Sequence, residues 1–167
     1  RQRHRQFPVM IPDMNASELL SRIRRDLGDI PDYIARVEQE KQVRGKDPSR
    51  MLSILGDYNY STYTEICHRN GVSPDFKIES TTVEEFETAL DWYFDTYAPG
   101  KIDLKRYVSN ISLYLTFIAK RPLHPPEVPF SDDIRIVKNR DFYYCSGKKR
   151  FLEDPSSICR YCVCRLG

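Results

Sequence analysis

The feature that most constrains how this chain can fold is a cluster of prolines about three quarters of the way along it. Four prolines fall within residues 122–129 of the 167-residue chain. Proline lacks a backbone N–H and disfavours helical geometry in the residue before it, so this segment is expected to be extended and stiff. The prolines therefore divide the chain into a body, residues 1–121, and a tail, residues 122–167. We expect the tail to pack on the body, giving one structural unit.

The body carries five segments in which apolar residues recur at helical spacing. Each segment is bounded by residues that commonly begin or end helices, such as Asn or Asp at the start and Gly or Pro at the end. Together with their bounding residues, the predicted helices run from Asn15 to Gly28, from Asp29 to about Gly45, from Asp47 to Gly71, from Thr81 to Pro99, and from Asp103 to about Lys120.

The tail carries a different pattern. Two short stretches rich in β-forming residues, 134–137 and 141–144, flank a polar turn and predict a hairpin, although no glycine marks that turn. The predicted fold class is therefore mainly α. We expect a five-helix, bundle-like domain with a small C-terminal β-hairpin and a cysteine-rich tail.

Composition excludes several classes of protein. Hydrophobic content of 40% and charged content of 30% are typical of a globular domain, and no apolar run approaches the length of a membrane span. The net charge is only +2, and the basic arm of residues 1–5 is the one strong local excess near the N-terminus, so nucleic acid is not favoured as a partner. These features predict a cytoplasmic protein that does not enter the membrane.

Cysteines are concentrated at the end of the chain. Four of the five lie in the last twenty-three residues, in the pattern C-x13-C-x2-C-x-C that begins at Cys145. In a reducing cytosol, clustered cysteines indicate metal or redox chemistry rather than structural disulfides. The tail is therefore the candidate functional site.

Small zinc sites are often built from a thiolate at a hairpin end and a C-x2-C turn. Cys145 and the pair Cys159 and Cys162 fit this scheme, and Cys67, the remaining cysteine outside the tail, is the predicted fourth metal ligand. The spacing leaves other fourth ligands open: Cys164, His124, His68 or a water molecule. Zinc is the predicted cofactor, and an iron–sulfur cluster, which also uses cysteine thiolates, is the alternative.

Motifs of common enzyme classes are absent from the sequence. It contains no glycine-rich phosphate loop, no G-x-S-x-G and no H-E-x-x-H. The prediction is a non-catalytic, zinc-binding interaction or assembly protein that joins a protein partner or a larger complex. The alternative is an iron–sulfur or thiol redox protein, or an enzyme subunit, that uses the C-terminal cysteines.

Three stretches, residues 115–126, 142–145 and 158–164, resemble an uncharacterised protein family of methanogenic archaea, a domain of unknown function. Cys145, Cys159 and Cys162 fit the pattern of that family, whereas Cys164 is additional. Ser146 stands where the family has a proline after the first tail cysteine. The resemblance implies an anaerobic cytosol in which thiols stay reduced, and it carries no activity with it.

Overall fold

The helices of the body pack around a central helical segment formed by residues 102–119. The computed structural model describes residues 12–44, 51–126 and 134–167. The elements, in chain order, are β1 (Met14–Asn15), α1 (Ala16–Leu27), α2 (Pro31–Arg44), α3 (Met51–His68), β2 (Lys77–Ile78), α4 (Ser80–Tyr97), α5 (Ile102–Leu113), a π-helix (Tyr114–Ala119), β3 (Ile136–Asn139), β4 (Phe142–Cys145), α6 (Lys148–Phe151), a 3₁₀ turn (Cys159–Tyr161) and β5 (Arg165–Leu166). The mainly α fold class is confirmed.

The core lies where α5 and its π-helical continuation meet α1, α3 and α4. The apolar stripes predicted for these helices supply it, because residues at helical spacing fall on one buried face. The largest side chains with almost no exposure in this core are Leu19, Leu20, Ile23, Ile66, Phe86, Leu90, Ile111, Tyr114 and Leu115. In the second half of the predicted fifth helix, residues 111–116 and Ile118 are buried and Phe117 is half-buried.

The start of α1 is stabilised differently from the prediction. Asn15 holds the capping position, but its side chain makes no capping hydrogen bond. Asp75, from the loop before β2, accepts a hydrogen bond of 3.0 Å from the backbone N–H of Ser17 instead. The Ser17 hydroxyl also donates to the Asp75 carboxylate, and these bonds hold the pKa of that carboxyl below its usual value. The helix is thus capped by a residue distant in sequence.

The predicted caps of the later helices are also wrong in detail. The capping box expected from Thr81 does not form, because α4 begins one residue earlier and Ser80 donates its hydroxyl to the carbonyl of Pro12 at 2.6 Å. Helix α5 begins at Ile102, which places Asp103 inside its first turn. The predicted cap of helix three at Asp47 and the predicted end of helix two at Gly45 lie outside the described residues.

Two small sheets complete the fold. β1 and β2 pair antiparallel, which joins the start of α1 to the segment before α4. In the tail, β3 and β4 form the predicted antiparallel hairpin, and β5 adds to β4 in parallel, giving the order β3-β4-β5. The basic residues 148–150 lie in the single turn of α6. In the ranges that the structure describes, no helix has the length and apolar character needed to cross a membrane.

Candidate functional site

The parallel strand β5 brings the end of the chain back beside Cys145. Tyr144 pairs with Arg165 and Cys145 with Leu166, and the N–H of Gly167 donates to the carbonyl of Cys145 at 3.1 Å. Successive residues of a strand lie about 3.3 Å apart. Cys164, directly before β5, is therefore held close to the end of β4.

The 3₁₀ turn positions the C-x2-C pair. The N–H of Cys162 donates to the carbonyl of Cys159 at 3.2 Å, and the N–H of Cys159 donates to the hydroxyl of Ser157 at 3.2 Å. Tyr161, between the two cysteines, stacks on the buried ring of Phe86 in α4, with 4.8 Å between ring centroids. This contact fixes the turn against the body.

The four tail cysteines lie in neighbouring segments as a result, since Cys145 and Cys159 line one cavity and Cys164 directly precedes the strand that pairs with the end of β4. The thiol of Cys162 hydrogen bonds with that of Cys164, and Cys145 lies close enough to Cys159 and Cys164 for their charges to interact. We call Cys145, Cys159, Cys162 and Cys164 the tail cysteine cluster. Cys164 is almost fully buried, with 2% of its surface exposed, whereas the other three are half-buried.

Lys148 is the cation of this cluster. Its ammonium donates to the carbonyls of Cys162 and Cys164 at 2.7 and 2.6 Å, which ties α6 to the end of the chain. Its charge also interacts with the thiols of Cys159, Cys162 and Cys164 and favours their deprotonated forms. Lys148 thus serves the tail internally, while Lys149 and Arg150 are exposed.

The cluster favours one thiolate in particular. The pKa of Cys162 is lowered, first by the hydrogen bond from the Cys164 thiol and further by the backbone N–H groups of Cys164 and Leu123. The pKa of Cys164 is raised because its thiol donates that bond and is buried, and burial also raises the pKa of Cys159. The pKa of Cys162 therefore lies below those of Cys159 and Cys164, and thiolates are the form that binds metals or attacks disulfides.

A cavity of about 300 Å³ opens beside the cluster and is lined in part by Cys145, Cys159 and His124. His124 stands in the proline-rich segment, and burial lowers its pKa, so its imidazole is neutral near pH 7. Neutral imidazole is the form that coordinates metals. His124, an open alternative in the sequence, is thus close to two of the predicted ligands.

Cys67 and His68 lie elsewhere. Cys67 is exposed on α3, and its side chain hydrogen bonds with that of Tyr63, one turn earlier. His68, at the end of α3, lines a separate cavity with Arg69 and Arg121. Among the sequence candidates, the structure thus brings together Cys145, Cys159, Cys162, Cys164 and His124, and it places Cys67 and His68 apart from them.

The sulfurs are neighbours without forming a finished coordination site. Within residues 12–44, 51–126 and 134–167, no three His, Cys, Asp or Glu side chains already stand where one metal ion would be held by all of them. Zinc binding by Cys145, Cys159, Cys162 and a fourth ligand therefore remains a prediction. Their soft thiolate chemistry suits zinc or iron–sulfur ligation better than it suits hard cations.

Comparison with known proteins places the chain in a family. A family profile described as "Uncharacterized protein conserved in archaea (DUF2115)" matches residues 17–166. The chain belongs to this archaeal family. The resemblance carried by the tail residues is thus confirmed, and the match extends over the helical body.

Relatives are found in methanogens. A UPF0305 protein of Methanocaldococcus jannaschii is 27% identical over 162 residues, which cover 91% of this chain and 96% of the relative. A UPF0305 protein of Methanococcus maripaludis strain C7 is 25% identical over 160 residues, covering 91% and 97%. A third, from Methanothermobacter thermautotrophicus, is 34% identical over 90 residues, covering 52% and 53%. No solved structure matches the chain.

Proposed function

We propose that the tail cysteine cluster binds a structural zinc ion and that the protein is a non-catalytic interaction or assembly protein of methanogenic archaea. The observation that carries this proposal is the position of Cys145, at the end of β4, where it lines one cavity with Cys159 and pairs with the strand that Cys164 directly precedes. Four thiolates are a common ligand set of structural zinc sites. We assign Cys164 as the fourth ligand in place of Cys67, because it hydrogen bonds with Cys162.

Two features of the surroundings support a metal. The N–H groups of Cys164 and Leu123 donate to the Cys162 sulfur, and hydrogen bonds of this kind orient ligands and tune the metal they hold. Lys148 favours the charged thiolates that coordination requires. A neutral His124 at the adjoining cavity can complete the coordination if one sulfur stays unbound.

The expected partner is an acidic protein surface. Residues 134–167 contain eight basic and three acidic side chains, although the whole chain carries only +2. Lys149 and Arg150 are exposed beside the cluster, and oppositely charged surfaces steer association. A zinc-stiffened tail would hold these charges in a fixed arrangement.

Metal analysis under anaerobic conditions tests the proposal. We expect colourless wild-type protein with one zinc per chain, little zinc in Cys162→Ser, and wild-type zinc in the matched control Cys67→Ser. Stripping zinc with a chelator should make residues 134–167 more sensitive to protease while the helical body stays intact. Metal-free wild-type protein, or equal zinc loss in both variants, would contradict the assignment. A brown protein would instead identify an iron–sulfur cluster.

The hydrogen bond between Cys162 and Cys164 favours thiol–disulfide exchange as a second candidate function. In this reaction the Cys162 thiolate attacks a low-molecular-mass disulfide and releases one thiol. Cys164 then attacks the mixed disulfide, releasing the second thiol and leaving a Cys162–Cys164 disulfide. Mass spectrometry of protein treated with oxidised glutathione tests it. Loss of two hydrogen atoms from the peptide holding both cysteines supports exchange, whereas a stable mixed disulfide or unreacted thiols argue against it.

A further inference from the structure

A second cavity lies where the end of α3 meets the π-helix, and none of the tail cysteines lines it. Its volume is about 520 Å³. The lining residues are Glu65, His68, Arg69, Tyr114, Ala119 and Arg121. We call it the Arg69–Arg121 pocket. Two guanidinium groups face a single carboxylate there, so the pocket has a surplus of positive charge.

The single carboxylate is already engaged. Glu65 accepts a hydrogen bond from Arg121 at 2.5 Å, and the Tyr114 hydroxyl donates to the same carboxylate oxygen. Burial and this bond raise the pKa of Tyr114, so its phenol stays protonated and remains a donor. Glu65 thus neutralises Arg121 and leaves no carboxylate for Arg69.

Arg69 is held in place while most of its donors stay unused. Its Nε donates to the carbonyl of Gly71 at 2.8 Å, and its Nη1 donates to the Tyr114 hydroxyl at 3.2 Å. A guanidinium carries five N–H groups. Among the described residues Arg69 has no carboxylate partner, so three of its N–H donors and its charge are available to a ligand. The two hydrogen bonds hold its guanidinium group in position.

The end of α3 does not cancel this charge. The last carbonyls of a helix carry partial negative charge, which would oppose an anion. Here Arg24, from α1, donates to the carbonyl of Ile66 at 2.9 Å and also to that of Arg69. The partial negative charge of these carbonyl oxygens is thereby offset by a third guanidinium, so it does not cancel the positive charge of Arg69.

The π-helix aims Arg121 into the pocket. π-Helical turns are rare and are often found at functional sites. This one spans Tyr114–Ala119 and ends at Lys120, whose φ of 53° is left-handed. The backbone N–H of Arg121 then donates to the carbonyl of Leu115 at 2.8 Å. With the backbone held in this way, the side chain of Arg121 itself reaches Glu65. One backbone irregularity thus supplies both Tyr114 and Arg121.

Another cavity of the body shows that charge surplus is not general. It is lined by three basic residues, Arg22, Lys105 and Arg106, and by three acidic residues, Asp26, Glu87 and Asp91. Arg22 pairs with Glu87 at 2.5 Å and Lys105 with Asp91 at 3.0 Å. The charges of that cavity balance, whereas those of the Arg69–Arg121 pocket do not.

We propose that the Arg69–Arg121 pocket binds a small oxyanion, a phosphate or carboxylate group, through the guanidinium groups of Arg69 and Arg121. The planar fork of arginine matches both groups with paired hydrogen bonds. Glu65 and Tyr114 are positioning residues that hold the two arginines. This site is separate from the proposed zinc and does not depend on it.

Calorimetric titration tests the proposal, with inorganic phosphate and succinate as separate probes in physiological chloride. We expect saturable binding of at least one probe, and the probe that binds identifies the class of anion. Arg69→Gln should weaken that binding by about 10- to 100-fold, the loss expected for hydrogen bonds to a charged group. Arg69→Lys keeps the charge but not the planar guanidinium, so its affinity for the anion should lie between those of the wild type and Arg69→Gln.

Arg121→Gln should also weaken that binding. Arg22→Gln is its matched control, because Arg22 has the same ion-pair distance and nearly the same side-chain exposure as Arg121. It should bind the anion as the wild type does, and so should Cys162→Ser, since the zinc proposal can fail without affecting this one. Circular dichroism confirms that each variant is folded. Failure of both probes to bind folded wild-type protein, or equal affinity in Arg69→Gln, would overturn the proposal.

Discussion

The stack of Tyr161 on Phe86 is the contact that joins the cysteine turn to the body, and its removal should have a large effect. The ring centroids are 4.8 Å apart, the ring planes differ by 23°, and Phe86 is completely buried. Phe86 also meets Phe117 edge to face at 6.0 Å. Loss of the Tyr161 ring therefore exposes a core aromatic as well as deleting a surface one.

The size of the effect follows from burial. Removing a fully buried aromatic side chain costs about 3–5 kcal/mol, and Tyr161 is half-buried, so about half of that applies. The stacked pair contributes about 0.5–1.5 kcal/mol beyond burial. We therefore expect Tyr161→Ala to lower the free energy of unfolding by about 2–4 kcal/mol, a substantial part of the total stability of about 5–15 kcal/mol that is typical of a domain.

Urea unfolding at equilibrium measures this loss, and Tyr161→Phe, which keeps the ring, is the control. The control should stay near the wild type. A thiol reagent applied under native conditions provides a second readout, because Cys162 and Cys164 should react faster once the turn is released. A loss below about 0.5 kcal/mol for Tyr161→Ala, the range of ordinary surface substitutions, would refute the idea that this stack fixes the tail.

Three further changes test other parts of the fold. Tyr58→Phe removes the 2.6 Å hydrogen bond to the carbonyl of Pro122 and should cost about 1–3 kcal/mol in urea unfolding, because it leaves a buried acceptor unpaired; an unchanged midpoint would contradict this. Asp75→Asn should destabilise the protein at pH 7 but progressively less below about pH 4, because a lowered carboxyl pKa contributes stability above its unfolded value that is lost on acidification; an equal loss in urea unfolding at pH 7 and pH 3 would count against it. Arg140→Gly should raise stability by about 1 kcal/mol in thermal unfolding, because Arg140 adopts a left-handed φ of 57° in the hairpin turn, and a lowered melting temperature would show that its side chain matters more than its backbone.

The sequence predicts the helices well because their signal is local. The stripe that begins at Leu19 recurs at helical spacing, and α1 ends where Gly28 predicts. Caps are predicted less well, because the orphan N–H groups of a helix accept any nearby partner. Asp75 caps α1 from nearly sixty residues away, which no local pattern reveals. The π-helix likewise leaves no local signature, since the same apolar residues suit an α-helix.

The candidate site is only partly readable from spacing. Cys159 and Cys162 are predicted as neighbours because two intervening residues form one turn. Cys164 is only one of several fourth ligands that the spacing leaves open, yet β5 runs parallel to β4 and brings it close to Cys145. A parallel pairing between strands this short has no sequence signature of its own. The Arg69–Arg121 pocket is missed for a similar reason, since its two arginines follow the ends of two elements, α3 and the π-helix, that are distant in sequence.

The tail has little core of its own, which explains why it would use a metal. Ile136 and Cys164 are buried but lie outside the main core cluster, whereas Ile158, Tyr161 and Cys162 pack against that cluster. Docking of the turn thus fixes one part of the tail to the body, whereas the described hairpin and its parallel strand contribute few buried side chains of their own. A structural zinc supplies on the order of 10 kcal/mol of folding free energy, and it would act at Cys145, where the hairpin ends. The stack on Phe86 would then hold the cysteine turn to the body, and the cysteine cluster would hold the same turn to the hairpin, so loss of either should loosen the residues that the other fixes.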